Sequence, residues 1–242
     1  RMADRSGIEW TDATWNPVTG CTKVSPGCAH CYAETIALRF KRGGPCLPGK
    51  TTINLHPERL RLPLTWKTPR HIFVNSMSDL FHEEIPLGFI QDVFEVMEQA
   101  NQHTFQILTK RHERLTELAG ELNWPDNVWM GVSVENQYWA DRRTPSLSEI
   151  PAAVRFLSVE PLLKEVDLRA YLGAIDWIVV GGESGPRARP IQADWVRVIR
   201  DDCLAAGVPF FFKQWGGRTN KAGGKLLDSR IWDQMPGRGN QA

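Results

Sequence analysis

Cysteine is scarce in this sequence, five residues among 242, and the count is odd. That excludes the paired framework of a secreted disulfide scaffold and points to a reducing compartment, where thiolates stay available for metal. Long apolar runs are missing as well: no stretch of eighteen apolar residues occurs, so no transmembrane helix and no membrane partner are expected. There is no signal-peptide pattern, Arg1 ahead of Met2 reads as an added residue, and a cytoplasmic protein is the expectation. Neither sign of charge prevails, since 29 Lys and Arg against 28 Asp and Glu leave a net charge of +1. Such a balance does not advertise nucleic acid by itself, so a partner of that kind has to be recognised by a local patch.

What is present is enough apolar material for one large core, at 42% of residues, and a single domain over 1–242 is expected. Ile8 to Asn16 reads as a first strand. From residue 71 short apolar runs alternate with longer segments: Ile72 to Asn75, Phe105 to Thr109, Val128 to Val134, Val154 to Val159, Trp177 to Val180 and Val208 to Phe212. These read as buried parallel strands. Helical spacing fills the gaps, with stripes at Ile90, Val93, Phe94 and Met97, at Leu115, Leu118 and Leu122, and at Trp195, Val198, Ile199 and Cys203. Pro57 to Leu62 reads as a further short helix. The alternation predicts an α/β fold, a partial or open (β/α) barrel of six to seven mostly parallel strands, with a doubly wound sheet as the alternative. Residues 215–242 form a basic, Gly-rich segment, read as a flap over the barrel mouth.

Three of the five cysteines fall in Asn16 to Glu34, NPVTGCTKVSPGCAHCYAE. Pro17, Gly20, Pro26 and Gly27 make this a loop, and a loop can aim three thiolates at one centre. Soft thiolates select iron–sulfur clusters, zinc or copper(I). A structural zinc usually takes four protein ligands, so Cys21, Cys28 and Cys31 alone fit a cluster with one open iron better. His30 could complete a zinc site. A helix expected from about Tyr32 to Arg42 would aim its positive N-terminus at the centre.

The same run resembles the cluster loop of radical S-adenosylmethionine (SAM) enzymes, particularly the subgroup similar to spore photoproduct lyase, where Asn-Pro-x-x-Gly-Cys leads to Cys-x-x-Cys-Tyr. SMSDLF, ILTKR, GVSVEN, SVEPLL, VVGGESGPRARP and FFKQWGG resemble a phage- and prophage-associated family of radical-SAM-like proteins, from Ile8 to about Pro236. Here six residues separate the first two cysteines, more than is usual in the superfamily, and His30 stands where an aromatic residue is usual. The resemblance implies a [4Fe-4S] cluster on Cys21, Cys28 and Cys31, SAM on the free iron, an electron donor, and an enzyme that generates a 5′-deoxyadenosyl radical. Tyr32, beside the last cysteine, belongs with the implied cofactor contacts.

In a parallel (β/α) fold the site lies at the C-terminal strand ends. Asn75, Ser76, Ser78 and Asp79 follow the second strand, Thr109 and Lys110 the third, Ser133 and Glu135 the fourth, Ser158 and Glu160 the fifth, and Gly181, Gly182, Glu183 and Ser184 the sixth. The acids are candidates for the amino group and ribose hydroxyls of SAM, with Ser and Gly donors for its carboxylate. Each Glu also suits the plain role of a first-turn helix residue, and the Gly cluster that of a tight turn. Cys46 is a candidate hydrogen-atom donor or an incidental surface thiol, Cys203 a core residue, and His82, His103 and His112 surface or supporting residues.

A nucleic acid or nucleotide is the expected substrate, with Arg218, Lys221 and Lys225 as contacts and Trp215 and Trp232 for base stacking, set against the plainer reading of a solvated tail with structural tryptophans. Two other classes stay open: a non-catalytic binding module stapled by zinc or a cluster, and a divalent-metal barrel hydrolase built on Asp79, Glu135, Glu160 and Glu183.

Overall fold

The structure is a computed structural model that describes residues 6–31, 33–34, 52–219 and 222–237. Tyr32, Cys46, Lys221 and nearly all of the helix expected at 32–42 lie outside the described residues. Nine strands are present among those described: β1 (Ala13–Trp15), β2 (Val18–Thr19), β3 (Asn54–Leu55), β4 (His71–Val74), β5 (Thr104–Thr109), β6 (Val128–Ser133), β7 (Val154–Val159), β8 (Trp177–Gly181) and β9 (Phe210–Gln214). Seven of them pair in the order β1-β4-β5-β6-β7-β8-β9, all parallel. Apart from the small antiparallel β2–β3 ribbon, each strand therefore lies beside its predecessor, and the order never reverses. A doubly wound sheet requires such a reversal. The fold class is accordingly the open α/β barrel, a curled half-barrel sheet with helices. All residues of β6 and β8 are buried, as strands covered on both faces must be.

The chain packs as two units, 1–24 with 31–130 and 150–153, and 25–30 with 131–149 and 154–242. In the first, α1 (Leu87–Gln99) buries Ile90, Val93, Phe94 and Met97 as its stripe predicts, together with Val96. α2 (His112–Leu118) buries Leu115 and Leu118, then tightens into a 3-10 turn at Ala119–Glu121. Leu122 is extended beyond that turn, yet only 8% exposed. The apolar spacing persisted although the helix had stopped. Pro57 to Leu62 is not one helix but the start of two 3-10 turns, Pro57–Arg59 and Leu62–Thr65, each with Pro in its first positions. Of the histidines read as surface or supporting residues, His82 and His103 are buried, and His82 Nε2 lies 2.9 Å from Thr22 Oγ1.

In the second unit α3 (Gln137–Ser148) has no counterpart in the hydrophobic pattern. Its buried face is Ala140, Arg143, Thr144 and Leu147, helical in spacing but half polar, and Pro145 lies within it. The signal that remained was the cap: Asn136 Oδ1 accepts from the Trp139 N–H at 3.2 Å. α4 (Ala193–Ala206) ends at Gly207, whose φ of 72° is left-handed. It buries Val196, Ile199 and Cys203, whereas Val198 of the expected stripe is 43% exposed.

The segment read as a flap is fastened to β9 over part of its length. The Phe212 N–H donates to Trp232 O at 2.8 Å, Trp177 Nε1 donates to Gln234 O at 2.9 Å, and Leu227, Trp232 and Met235 are buried. β9 would otherwise be an open sheet edge. Trp232 packs on Phe210 with Arg230 over its face, the structural role that stood as the alternative to base stacking. No helix among the described residues is long and apolar enough to cross a membrane.

Candidate metal centre

In the first unit the stretch ahead of Cys21 is tied to the C-terminal end of β4. Asn16 Oδ1 accepts from Ser76 Oγ at 3.1 Å and from the Met77 N–H at 3.0 Å, and Asn75 Oδ1 accepts from the Val18 N–H at 3.2 Å. Asn75 holds a left-handed φ of 58°, a conformation Asn tolerates better than most residues. Asn75 and Ser76 thus position the loop, a task the sequence reading had not assigned them. Gly20, with φ of 98°, leaves no room for a side chain against Thr52 O.

Cys21 Sγ lies 3.8 Å from Arg111 Nη1. Around that guanidinium, Asp79 Oδ2 stands at 3.4 Å, both Glu83 oxygens at 3.1 Å from Nε, and Thr22 Oγ1 at 2.7 Å from Nη2. Burial disfavours the Arg111 charge, but Asp79, Cys21 and Glu83 outweigh it and hold its pKa above the ordinary value. Asp79 also accepts from Thr109 Oγ1 at 2.7 Å and the Lys110 N–H at 3.0 Å. Asp79, Thr109 and Lys110, expected to contact cofactor, are here one another's partners.

In the second unit Ser25 to His30 is held by two carboxylates. A 3-10 turn at Pro26–Cys28 places Ser25 Oγ 2.5 Å from Glu135 Oε1, and Gly27 presses on the same group, since a Cβ there would lie 2.5 Å from Oε1. Glu135 Oε2 accepts from Arg143 Nη1 at 3.0 Å, and both side chains are fully buried. Farther along, His30 Nδ1 and Glu183 Oε2 are 3.0 Å apart. Arg189 chelates Glu183 through N, Nε and Nη2, and Nη2 also donates to Pro26 O at 2.8 Å. Glu135 and Glu183 therefore support the cysteine loop itself.

Burial opposes ionisation of Glu183, but hydrogen bonds from Arg189 and His30 prevail and hold its carboxyl down at about 2 from the usual 4.5. A depressed carboxyl stabilises the fold fully above its unfolded pKa and loses that contribution as pH falls through the folded one. Acid unfolding followed by circular dichroism should therefore steepen below pH 4.5 toward 2, and Glu183→Gln should flatten that fall. Superimposable acid curves would contradict it.

Glu160 pairs with Lys213 at 3.1 Å and occupies the space beside Gly181 that a side chain would fill. The Gly182 N–H donates to Gln214 O at 2.9 Å, and a side chain at 182 would collide with Trp215 O. This glycine serves a close approach of the chain ends after β8 and β9, and its N–H is engaged there. Ser133 and Ser158 are buried, Ser78 half-buried.

Cys21, Cys28 and Cys31 are half-buried and none is in a disulfide. Among the described residues no three His, Cys, Asp or Glu side chains converge on one ion position. Three free thiolates are, by their chemistry, a donor set of the kind that an iron–sulfur cluster or zinc takes. Arg111, Arg143, Arg189 and Ser25 were not found from sequence. Arg111 and Arg189 do lie in the family-like ILTKR and GPRARP stretches, a signal available for both.

The fold is similar to solved structures of spore photoproduct lyase. One, complexed with dinucleoside spore photoproduct, matches with a TM-score of 0.52 at 13% identity. A mutant with bound AdoMet and dinucleoside spore photoproduct gives 0.51 at 12%, and another mutant 0.50 at 12%. In each case the match covers 84% of this chain and 63% of the other, and at such identities the likeness is one of fold. The resemblance to spore photoproduct lyase read from the sequence is thus matched by a likeness of fold. No curated protein matches the sequence. A family model described as "protein of unknown function (DUF5131)" matches residues 5–236.

Proposed function

Starting from a chain that belongs to the DUF5131 family, we propose that it is a radical-SAM enzyme acting on a nucleic acid or nucleotide, with a [4Fe-4S] cluster held by Cys21, Cys28 and Cys31. The observation that carries this reading is the three-cysteine loop, free of disulfides, on a fold shared with spore photoproduct lyase. When bound, the cluster and SAM together supply an electron and the reductive cleavage of a sulfonium bond. The chain's own part is to hold and shield the loop. Arg111 faces the Cys21 sulfur, Glu135 receives Ser25, and Glu183 with Arg189 fixes His30 and the Pro26 carbonyl. Tyr32, Ser78, Ser133, Glu160 and the Gly182 region are the proposed surroundings of SAM, and Cys46 a proposed hydrogen-atom donor.

A nucleotide-type substrate is supported by the dinucleoside in the lyase structures and by Arg218 and Lys225 on an exposed segment near Trp215. An electron donor is implied. A zinc-stapled binding module is the second reading, favoured by one contact: His30 Nδ1 against Glu183, the orientation a carboxylate imposes on a ligating imidazole. The divalent-metal hydrolase loses support, because Asp79, Glu135, Glu160 and Glu183 each already face a protein cation, Arg111, Arg143, Lys213 and Arg189.

The test is anaerobic reconstitution followed by incubation with SAM and dithionite. Formation of 5′-deoxyadenosine that disappears with Ala at Cys21, Cys28 or Cys31 is the expected result. A colourless protein carrying one zinc and releasing no nucleoside would leave the binding module instead.

A further inference from the structure

Arg111 is a charged group that the proposed reaction does not otherwise require. It follows β5 by two residues, is 5% exposed, and divides its guanidinium between two directions. Toward one side it meets Glu83 through Nε at 3.1 Å and Asp79 Oδ2 through Nη1 at 3.4 Å. Toward the other, Nη2 donates to Thr22 Oγ1 at 2.7 Å and Thr22 O at 3.3 Å, while Nη1 reaches Cys21 Sγ at 3.8 Å. Asp79 is itself fixed by Thr109 and by the Lys110 N–H. The guanidinium therefore cannot turn from the sulfur without breaking several charge-assisted bonds.

We infer that Arg111 is a positioning residue for Cys21, orienting this thiolate by an N–H···S hydrogen bond and raising the reduction potential of the centre that the thiolate holds. The inference rests on the reading of the three cysteines as cluster ligands. Hydrogen bonds to sulfur and nearby positive charge both favour the form carrying one more electron. Asp79 and Glu83 offset part of the Arg111 charge, but Glu83 is 62% exposed and screened by water, and the directed donor at Sγ remains. Cys28 has a neutral neighbour instead, Ser25 Oγ at 3.8 Å. The two sulfurs are therefore held by unlike partners, one cationic and one neutral.

The experiment compares reconstituted wild type with Arg111→Gln, Arg111→Lys and Thr22→Val in anaerobic redox titrations followed by visible absorbance and electron paramagnetic resonance. At a fixed poise, the ratio of reduced to oxidised cluster should fall about tenfold in Arg111→Gln, a midpoint lower by about 59 mV for a one-electron couple. Arg111→Lys keeps the charge without the fork, and Thr22→Val removes the acceptor that aims it. Both should fall less, at unchanged iron content. Where Arg111→Gln does not fold because Asp79 loses its cation, those two variants carry the test. Wild-type midpoints in all folded variants overturn the inference and leave the cluster reading standing. Wild-type protein that takes up no iron and shows no visible band overturns both.

Discussion

Arg143→Ala should lower the melting temperature by roughly 10 °C, a stability loss of about 3–5 kcal/mol at about 2–4 °C per kcal/mol for a chain of this size. The pair it breaks, Arg143 with Glu135, is fully buried on both sides. Removing the cation leaves a buried carboxylate with only the Ser25 hydroxyl and the charge of Arg189 to offset it, and that poorly compensated charge, rather than the pair's own attraction, is the larger cost. Arg143 Nη1 also caps Ser133 O at 2.8 Å, and the guanidinium lies over the Trp139 ring. The double variant Arg143→Met with Glu135→Gln should recover much of the loss, because no buried charge is then left alone. Thermal denaturation by circular dichroism distinguishes the cases. A single variant that melts with the wild type would show that Glu135 is not held as described.

Gly27→Val should abolish iron incorporation while leaving most of the fold in place. A Cβ at Gly27 would lie 2.5 Å from Glu135 Oε1, 2.6 Å from Cγ and 2.9 Å from Cδ. A carboxylate tip normally yields to such a clash. Here it is anchored by Arg143 and Ser25, so the loop must move instead, at an overpacking cost of about 1–3 kcal/mol. Because Gly27 immediately precedes Cys28, the displacement falls on a ligand. Iron content and visible absorbance after reconstitution measure it. Loading equal to wild type would mean that Glu135 does not set the position of the loop.

These two substitutions mark how far the sequence could be read. Strand β7 was legible to the residue, since Val154, Phe156, Leu157 and Val159 make a short apolar run that Glu160 and Pro161 end. The stripe of α1 was equally plain, because Ile90, Val93, Phe94 and Met97 repeat at helical spacing and all face inward. α3 was not legible. Its buried face includes Arg143 and Thr144, and Arg143 is accommodated there by pairing with Glu135 eight residues back, which no apolar spacing reveals. α4 was recognised but rotated, since Val198 is apolar and exposed while Val196 is buried. Among site residues, the cysteines declared themselves by spacing. The carboxylates were visible as acids after strands, but their bonding to Arg111, Arg143, Lys213 and Arg189 was not.

What this sequence determined alone is local. Periodicity set the alternation of strands and helices, and proline and glycine between Asn16 and Cys31 kept three thiolates on one short loop, because neither property depends on distant residues. Tertiary structure decided the rest: that successive strands follow one another without reversal, and that Glu135 and Glu183 hold the loop rather than stand open to a ligand. Both are matters of which groups meet at a distance along the chain, and the second spans more than a hundred residues, as Ser25 meets Glu135 and His30 meets Glu183. A one-dimensional pattern has no means of naming such partners.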